Sequence, residues 1–406
     1  MRLALTSRLL LVGFGLFAAP AVAGSEGFDA DDADGVIKYQ AKERYSLIRK
    51  GPLDILIPGW RDWNDRLDEA IGLRFGIAYT VAGQSASASK GEDHGIAGDF
   101  DLFARWTLVD REGANPGQLV ASIESRHKFT AISPRDLGAE IGSIWGTTNL
   151  FNDRPLAVNQ VFWQQGLLDG ALVLRAGKLI PNVYYNRNRV SNDNRYFLNE
   201  AFSGNPTRKH PIGIGANGML RKEGLGYVLL GVGDMNGSAD GLGDPGKGQF
   251  FSVIEAGWSP ELKGLGRGSY RLTGYHHDES DNSGTPEGWN VSFSVDQELS
   301  PEEWGVFFRF GALSDPIRPT KRVVAAGAMG LVPFARRRKD GWGFGASWGR
   351  PFSDTARDQW AFEGFYRLQL TQALQLTGDV QLFVDPATNP GKNQIWVFGL
   401  RLRVDF

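Results

Sequence analysis

The feature that most constrains this chain is an alternation of apolar and polar side chains that begins near residue 71 and continues to the C-terminus. Its last run shows the pattern clearly, because every second residue from Trp396 to Phe406 is apolar, whereas Arg401, Arg403 and Asp405 lie in between. Successive side chains of a β-strand point to opposite faces of the sheet. The pattern therefore predicts strands with one apolar and one polar face.

The density of charge on the polar faces decides between a soluble sheet and a membrane barrel. Charged side chains packed this densely into a soluble core would be left unpaired at high cost. In a barrel with a wet lumen the same residues are solvated, and only the lipid-facing side must be apolar. We therefore predict an all-β fold, a transmembrane antiparallel β-barrel, with Arg401 and Arg403 pointing into a wet lumen. In lipid such a sheet must close, because an open edge would leave backbone groups unpaired.

The alternating runs number about sixteen, which leaves an aqueous channel rather than a filled core. They lie near 70–81, 96–109, 118–130, 156–165, 170–180, 212–221, 226–233, 249–258, 268–276, 288–298, 303–312, 322–332, 340–349, 359–370, 373–384 and 393–406. The connections between them alternate between short and long. Bacterial barrels have short periplasmic turns and long extracellular loops. The short connections lie on the same side as the C-terminus, so we place the C-terminus on the periplasmic side. The barrel is expected to comprise residues 70–406.

The N-terminal region predicts export. Arg2 and Arg8 precede an apolar run, and Ala21-Val22-Ala23 follows it, which is the pattern of a signal peptide (1–23) cleaved before Gly24. The run is shorter than the roughly 20 residues of a membrane-spanning helix. We therefore expect a protein of the outer membrane of a Gram-negative cell.

Residues 24–69 lack the alternation and form a separate N-terminal periplasmic or plug segment. We expect turns at Gly51-Pro52 and Pro58-Gly59 and one short helix over 60–70, with Trp60 among its apolar residues. This helix is expected to pack at or inside the periplasmic mouth of the barrel.

Several classes of function are disfavoured. The chain has no cysteine and a formal charge of −2, which argues against thiolate chemistry and nucleic-acid partners. The G-x-S-x-G match around Ser347 lies in an alternating run without the helix that a nucleophile elbow requires. A lipid-facing Ser–His pair would support an outer-membrane hydrolase, but none is evident from the strand register. His276 and His277 point to opposite faces, so we do not expect them to form a metal site. We also expect no cofactor and no enzymatic activity.

Candidate solute contacts lie on the inward faces of two strands and on the long loop 181–211. A neutral polyol is held by amide and charged hydrogen-bonding groups together with an aromatic face. The alternative for this stretch is an ordinary surface loop. The alternative for the channel is a general porin or, because the loop has an excess of arginine and lysine, one that passes organic anions. The candidates are Asp101, Arg105, Glu124, Arg126, Lys128, Tyr185, Asn186, Arg187 and Arg189.

Three stretches resemble the carbohydrate-selective porin family (OprB type). The first is W-x-x-W-x-x-x-L from Trp60, continued by I-G-L, and the second is R-Y-F-L-N-E-A-F from Arg195. The third and most specific is E-G-F-Y-R-L-Q-L-T from Glu363, followed by L-T-G-D-V-Q, D-P-A-x-N-P and G-L-R. Gly378 stands where the family element has proline, so the chain resembles a divergent member.

The resemblance implies a sixteen-stranded barrel, loops folded into the channel, and passive diffusion of mono- or oligosaccharides without an energy-coupling partner. Other expected partners are outer-membrane lipid and lipopolysaccharide. The barrel-assembly machinery is expected to bind the C-terminal strand that ends at Phe406. A monomer and a homotrimer are both compatible with the sequence.

Overall fold

A computed structural model describes residues 46–48, 51–204, 206–207, 211–222, 224–300, 303–331 and 340–406. The expected signal peptide and residues 24–45 lie outside this part of the chain. The strands are β1 Leu73–Ala86, β2 His94–Val109, β3 Gly117–Lys128, β4 Arg154–Leu167, β5 Leu172–Leu179, β6 Gly213–Lys222, β7 Gly226–Asp234, β8 Phe250–Trp258, β9 Gly268–His277, β10 Gly288–Ser300, β11 Trp304–Leu313, β12 Thr320–Leu331, β13 Gly341–Pro351, β14 Gln359–Gln369, β15 Leu374–Val384 and β16 Gln394–Asp405.

The sixteen strands form one closed barrel in which each strand pairs antiparallel with its neighbours in the chain. The first and last strands close it, with a register that runs from Ala78 opposite Asp405 to Ala86 opposite Val397. The predicted fold class and strand count are confirmed. Within the described residues no helix is long and apolar enough to cross a membrane.

Each strand presents the faces that the alternation predicted. In β16 the side chains of Trp396, Phe398 and Leu400 are exposed on the outside, whereas Arg401 and Arg403 point inward. Most inward positions of β14 and β15 carry charged or amide side chains, and Ala361, Phe365 and Phe383 occupy others. The outer surface is consequently the apolar one, as a lipid environment requires.

The two ends of the barrel differ in their connections. We call the end with the C-terminus and the shorter links, such as 168–171 and 370–373, the short-turn end. The opposite, long-loop end carries the connections 129–153 and 180–212. Helix α2 (Leu137–Ile141) lies in the first of these and helix α3 (Glu200–Ser203) in the second.

Helix α1 (Leu56–Ile71) lies at the short-turn end, after a 3-10 turn at Pro52–Ile55. It starts four residues earlier than predicted, and the expected turn at Pro58-Gly59 is wrong. Pro58 is in the first helical turn, where its missing N–H would have had no partner in any case. The helix therefore tolerates the proline and extends to Gly72, whose left-handed conformation (φ 78°) ends it.

Backbone and side-chain contacts tie the segment before α1 to the β14–β15 turn. Ile48 N donates to Leu370 O (2.8 Å), and the Asp54 carboxylate accepts the N–H groups of Gly51 (2.8 Å) and Ala373 (3.0 Å). Partial burial raises the pKa of Asp54, but these backbone donors outweigh it and hold the pKa below its usual value. The ionised carboxylate thus fixes the segment against the barrel rim.

Candidate functional site

The interior of the barrel is occupied by residues 180–204, here called the inserted segment. On one side it is held by β8 and β10. Asn186 N donates to Glu255 Oε2 (2.6 Å), and Arg189 bonds Asp296 (2.6 Å) and Glu298 (2.8 Å). These charge-assisted bonds are stronger than neutral ones, so the segment is fixed firmly to this part of the wall.

On the other side the inserted segment is held through its backbone. Glu363 Oε1 accepts Leu198 N (2.5 Å) and Glu363 Oε2 accepts Asn199 N (2.9 Å). Arg401 donates to Tyr196 O (3.0 Å) and to Asp193 O. Inward charges of the barrel therefore bind backbone groups that would otherwise be buried without partners.

The predicted solvation of Arg401 and Arg403 is wrong. Both point inward, but they are only 1% and 3% exposed because the inserted segment and neighbouring side chains cover them. Arg403 bonds Thr80 Oγ1 (2.7 Å) and Asp405 Oδ2 (3.3 Å). Their charges are met by protein groups instead of lumen water.

An aromatic cluster accompanies these polar contacts. The Phe197 ring lies 5.0 Å from the rings of Phe202 and Phe365 and 5.5 Å from that of Phe307. Gly345 of β13 is required here, since a Cβ at this position would lie 2.8 Å from the Phe202 ring. This part of the lumen is filled like a protein core.

The connection 129–153 fills the long-loop end beside the same strands. Thr147 Oγ1 donates to Gln84 Oε1 of β1 (2.7 Å), and Thr147 O accepts Gln381 Nε2 of β15 (2.9 Å). Ile144 N donates to Gln359 Oε1 of β14 (3.2 Å). Two inserted connections thus cover the wall from β14 through β16 to β1.

The wall from β2 to β6 carries a chain of hydrogen-bonded side chains, one from each strand, here called the polar belt. Gln118 Nε2 donates to Thr107 Oγ1 (3.1 Å), and Gln164 Nε2 donates to Gln118 Oε1 (3.0 Å). Arg175 then donates to Gln164 Oε1 (2.6 Å) and to Asn217 Oδ1 (3.2 Å). Gln164 and Arg175 are the half-buried members, so they are the ones a solute can reach.

Arg175 has a distinctive environment within the polar belt. It donates hydrogen bonds to the neutral amides of Gln164 and Asn217, and its guanidinium lies 4.9 Å from the centre of the Tyr184 ring. A cation over an aromatic face is attracted by the ring quadrupole. The site therefore combines amides, a cation and an aromatic ring, the set of groups expected for a polyol.

Three carboxylates, Asp99, Asp101 and Glu124, meet further along the same wall, with oxygens within 4.8 Å of one another. Arg126 Nε bonds Glu124 Oε1 (2.7 Å) and lies 3.5 Å from Asp99 Oδ1. Arg154 also bonds Glu124. The acidic charge is thus met by two guanidinium groups.

The sequence matches the model of the "Carbohydrate-selective porin, OprB family" over residues 97–406, which is more than half of the chain. The chain belongs to this family. Pseudomonas putida OprB has a similar fold, with a TM-score of 0.72 to its high-pH structure at 16% identity over 86% of this chain and 97% of that one. Its low-pH structure gives a TM-score of 0.56 at 15% identity, covering 90% and 99%.

A more distant fold relative is a mutant of Rh. blastica porin, with a TM-score of 0.53 at 11% identity over 82% of this chain and all of that one. No curated protein matches the sequence significantly. The chain is a carbohydrate-selective porin of the OprB family, a channel of the outer membrane and not an enzyme.

The structure of this OprB-family porin distributes the predicted contact residues over different environments. Asp101, Glu124 and Arg126 come together in the buried charge cluster. Tyr185, Asn186 and Arg189 belong to the contacts of the inserted segment. Arg105 and Arg187 are half-buried, and Lys128 is exposed at the end of β3, 4.0 Å from Asp153.

The sequence reasoning missed Gln164 and Arg175 of the porin's polar belt. Both lie in runs that were predicted as strands, and Arg175 alternates there with Leu174 and Ala176. The alternation signals an inward position, but the contact with Tyr184 comes from the fold of the inserted segment and has no local signature.

The porin's wall does contain a lipid-facing Ser–His pair, contrary to the strand-register prediction. Ser252 of β8 lies directly opposite His276 of β9 on the outer face. His276 Nε2, however, bonds Glu287 Oε1 (3.1 Å), and its ring lies 4.3 Å from that of Trp289. Among the described residues no hydrogen bond joins Ser252 to His276, and Ser347 is buried on the inward face of β13. Neither serine is paired with a base.

Proposed function

We propose that sugars cross this porin along the polar belt, with Gln164 and Arg175 as the principal contacts. The observation that carries the proposal is the placement of the belt. Most hydrogen bonds of the inserted segment go to β8–β16, and the belt lies on the wall from β2 to β6. The half-buried Arg105 and Arg187 complete the set of groups offered to a solute, and the buried ring of Tyr184 helps to position Arg175.

The chemistry of the polar belt suits a solute that must both enter and leave. Amide and guanidinium groups exchange hydrogen bonds with sugar hydroxyls without any group becoming fixed to the solute. The belt residues bond each other when no sugar is present, so the departure of a sugar costs little hydrogen-bonding free energy. Weak binding of this kind is what conduction requires.

Current block in planar bilayers tests this path. Arg175→Met removes the guanidinium and keeps the apolar stem, and loss of a charge-assisted hydrogen bond of about 1.5 kcal/mol would weaken block by a maltodextrin about tenfold. Arg350→Met is the matched control, because Arg350 is exposed on the outer face and pairs with Asp358. Unchanged block in Arg175→Met, or an equal loss of block in Arg175→Met and Arg350→Met, would contradict the path.

A second permeant class is favoured by the same arginine. A half-buried cation whose hydrogen bonds go to neutral amides attracts anions. We propose that small organic acids also enter, and reversal potentials in a salt gradient test this. Arg175→Met should shift the selectivity of the channel toward cations, and an unaltered reversal potential would remove organic acids from the proposal.

Export and assembly complete the proposal. We propose that residues 1–23 are removed before Gly24, that 24–69 form a periplasmic segment, and that lipopolysaccharide contacts the outer face at the long-loop end. Phe406 pairs with Ile77 through both backbone groups, which supports recognition of the C-terminal strand by the barrel-assembly machinery. Intact mass of the purified protein tests the cleavage site, and its mass in detergent separates a monomer from a homotrimer.

A further inference from the structure

Helix α1 has three faces with different chemistry. Leu56, Trp60, Trp63, Leu67 and Ile71 recur at three- and four-residue spacing, which places them on one side of the helix. This side is here called the apolar face. Asp62 and Glu69 lie on the opposite side and are exposed. A helix that contacted only the barrel and water would have one face toward the barrel and one toward water. The apolar face fits neither, so it needs its own explanation.

The barrel-facing side of α1 lies between these two and is formed around Asn64. Its side-chain amide accepts Phe75 N (2.8 Å) and donates to Phe75 O (3.1 Å). Asp68 bonds Arg74 Nε (2.7 Å), and Ile57 is buried. These contacts fix the rotation of the helix, and most of the apolar face lies outside them.

The apolar face is left open by the described residues. Leu56 is 53% exposed, Trp63 39% and Ile71 46%, and the adjoining Ile55 is 76% exposed. Single exposed apolar residues are common on soluble surfaces, but a contiguous patch marks an interaction site. The patch therefore calls for an apolar partner.

The position of the apolar face identifies that partner. The Trp63 ring stacks on Phe75 at 5.7 Å, and Phe75 points outward from β1. Trp106, on the outer face of β2, donates from Nε1 to Ile71 O (2.9 Å). The apolar face is thus continuous with the lipid-facing surface of the barrel.

We infer that α1 lies in the plane of the membrane surface at the short-turn end, with its apolar face in contact with phospholipid. Amphipathic helices with tryptophan on the apolar side bind at this level, where the ring spans the boundary between acyl chains and headgroups. The helix is then a rim anchor that extends the barrel's lipid contact. This inference rests on the chain being a membrane barrel and not on which solute it passes.

Spin labelling tests the inference directly, because the chain contains no native cysteine. The full-length protein is labelled at Leu56→Cys, on the apolar face, and at Asp62→Cys, on the charged face of the same helix. Val380→Cys, on the outer wall of β15, gives the lipid-exposed reference. In phospholipid vesicles, accessibility to oxygen and to a water-soluble nickel complex is measured for each label.

The expected result is that position 56 resembles position 380, with high oxygen and low nickel accessibility, and that position 62 shows the reverse. Two results would overturn the inference. One is equal nickel accessibility at positions 56 and 62, which means that the face is in water. The other is spin–spin broadening at position 56, which means that a second copy of the chain covers it. Ion conductance of each labelled protein confirms that the barrel is folded, and sugar block is not part of the readout.

Discussion

At the scale of single residues, Glu363 shows how one inward charge organises the lumen. Its two oxygens accept the N–H groups of Leu198 and Asn199, and all three residues are buried. A buried donor that loses its acceptor costs about 1–3 kcal/mol. Glu363→Leu removes both acceptors, so we expect the backbone around Leu198 to open and its amides to exchange at least about tenfold faster with deuterated solvent.

The graded control for this prediction is Glu363→Gln, which keeps one acceptor oxygen. Exchange mass spectrometry on a peptide that spans 196–203 should rank the wild type slowest, Gln intermediate and Leu fastest. Equal exchange in all three proteins would mean that Glu363 does not hold the inserted segment.

Glu363 also marks the limit of what the sequence predicts. Its inward position follows from alternation, because the outer face must be apolar in lipid. Its partners do not follow, since they are backbone N–H groups that every residue except proline carries. The same holds for Arg401, which was predicted to be solvated and in fact bonds backbone carbonyls. Side-chain chemistry alone cannot specify such contacts.

At the scale of elements, α1 is joined to β1 through Asn64. Strand β1 extends past the end of β16, where Ile77 pairs with Phe406, so the next backbone groups on that edge, those of Phe75, have no strand partner. The Asn64 amide satisfies both. Asn64→Ala leaves the N–H and C=O of Phe75 without this partner. We expect the Phe75 amide to exchange with deuterated solvent at least about tenfold faster, since each lost bond costs about 1 kcal/mol or more.

Asp62→Ala is the control, because Asp62 is exposed on the same helix. Faster exchange in Asp62→Ala as well would assign the effect to the helix as a whole.

The sequence predicted a helix here from its apolar spacing but placed its start too late. Pro58 suggests a break in the helix, although proline is tolerated in the first turn, where its missing N–H has no partner. The bonds from Asn64 to the edge of β1 arise only in the three-dimensional fold, so the spacing of apolar residues could not predict them.

At the scale of the whole molecule, barrel closure and channel width are separate properties. Closure depends on the β1–β16 ladder, which the inserted segment does not enter. We therefore expect a variant in which a short Gly-Ser linker replaces residues 184–203 to fold. The freed Arg309, Glu363 and Arg401 would then face water in the widened lumen, where charged side chains are tolerated.

The conductance of this variant should rise several-fold, and block by maltodextrin should disappear, because the Tyr184 ring that positions Arg175 and the opposite side of the path are removed together. The matched control shortens the exposed β9–β10 connection at residues 282–284, which lies at the same end of the barrel. If single-channel current is unchanged in the first variant, the inserted segment does not narrow the path. If it rises equally in both, the effect belongs to the loops of the long-loop end in general. Only a rise confined to the first variant agrees with a channel whose outer wall is set by alternation and whose bore is narrowed chiefly by the inserted segment.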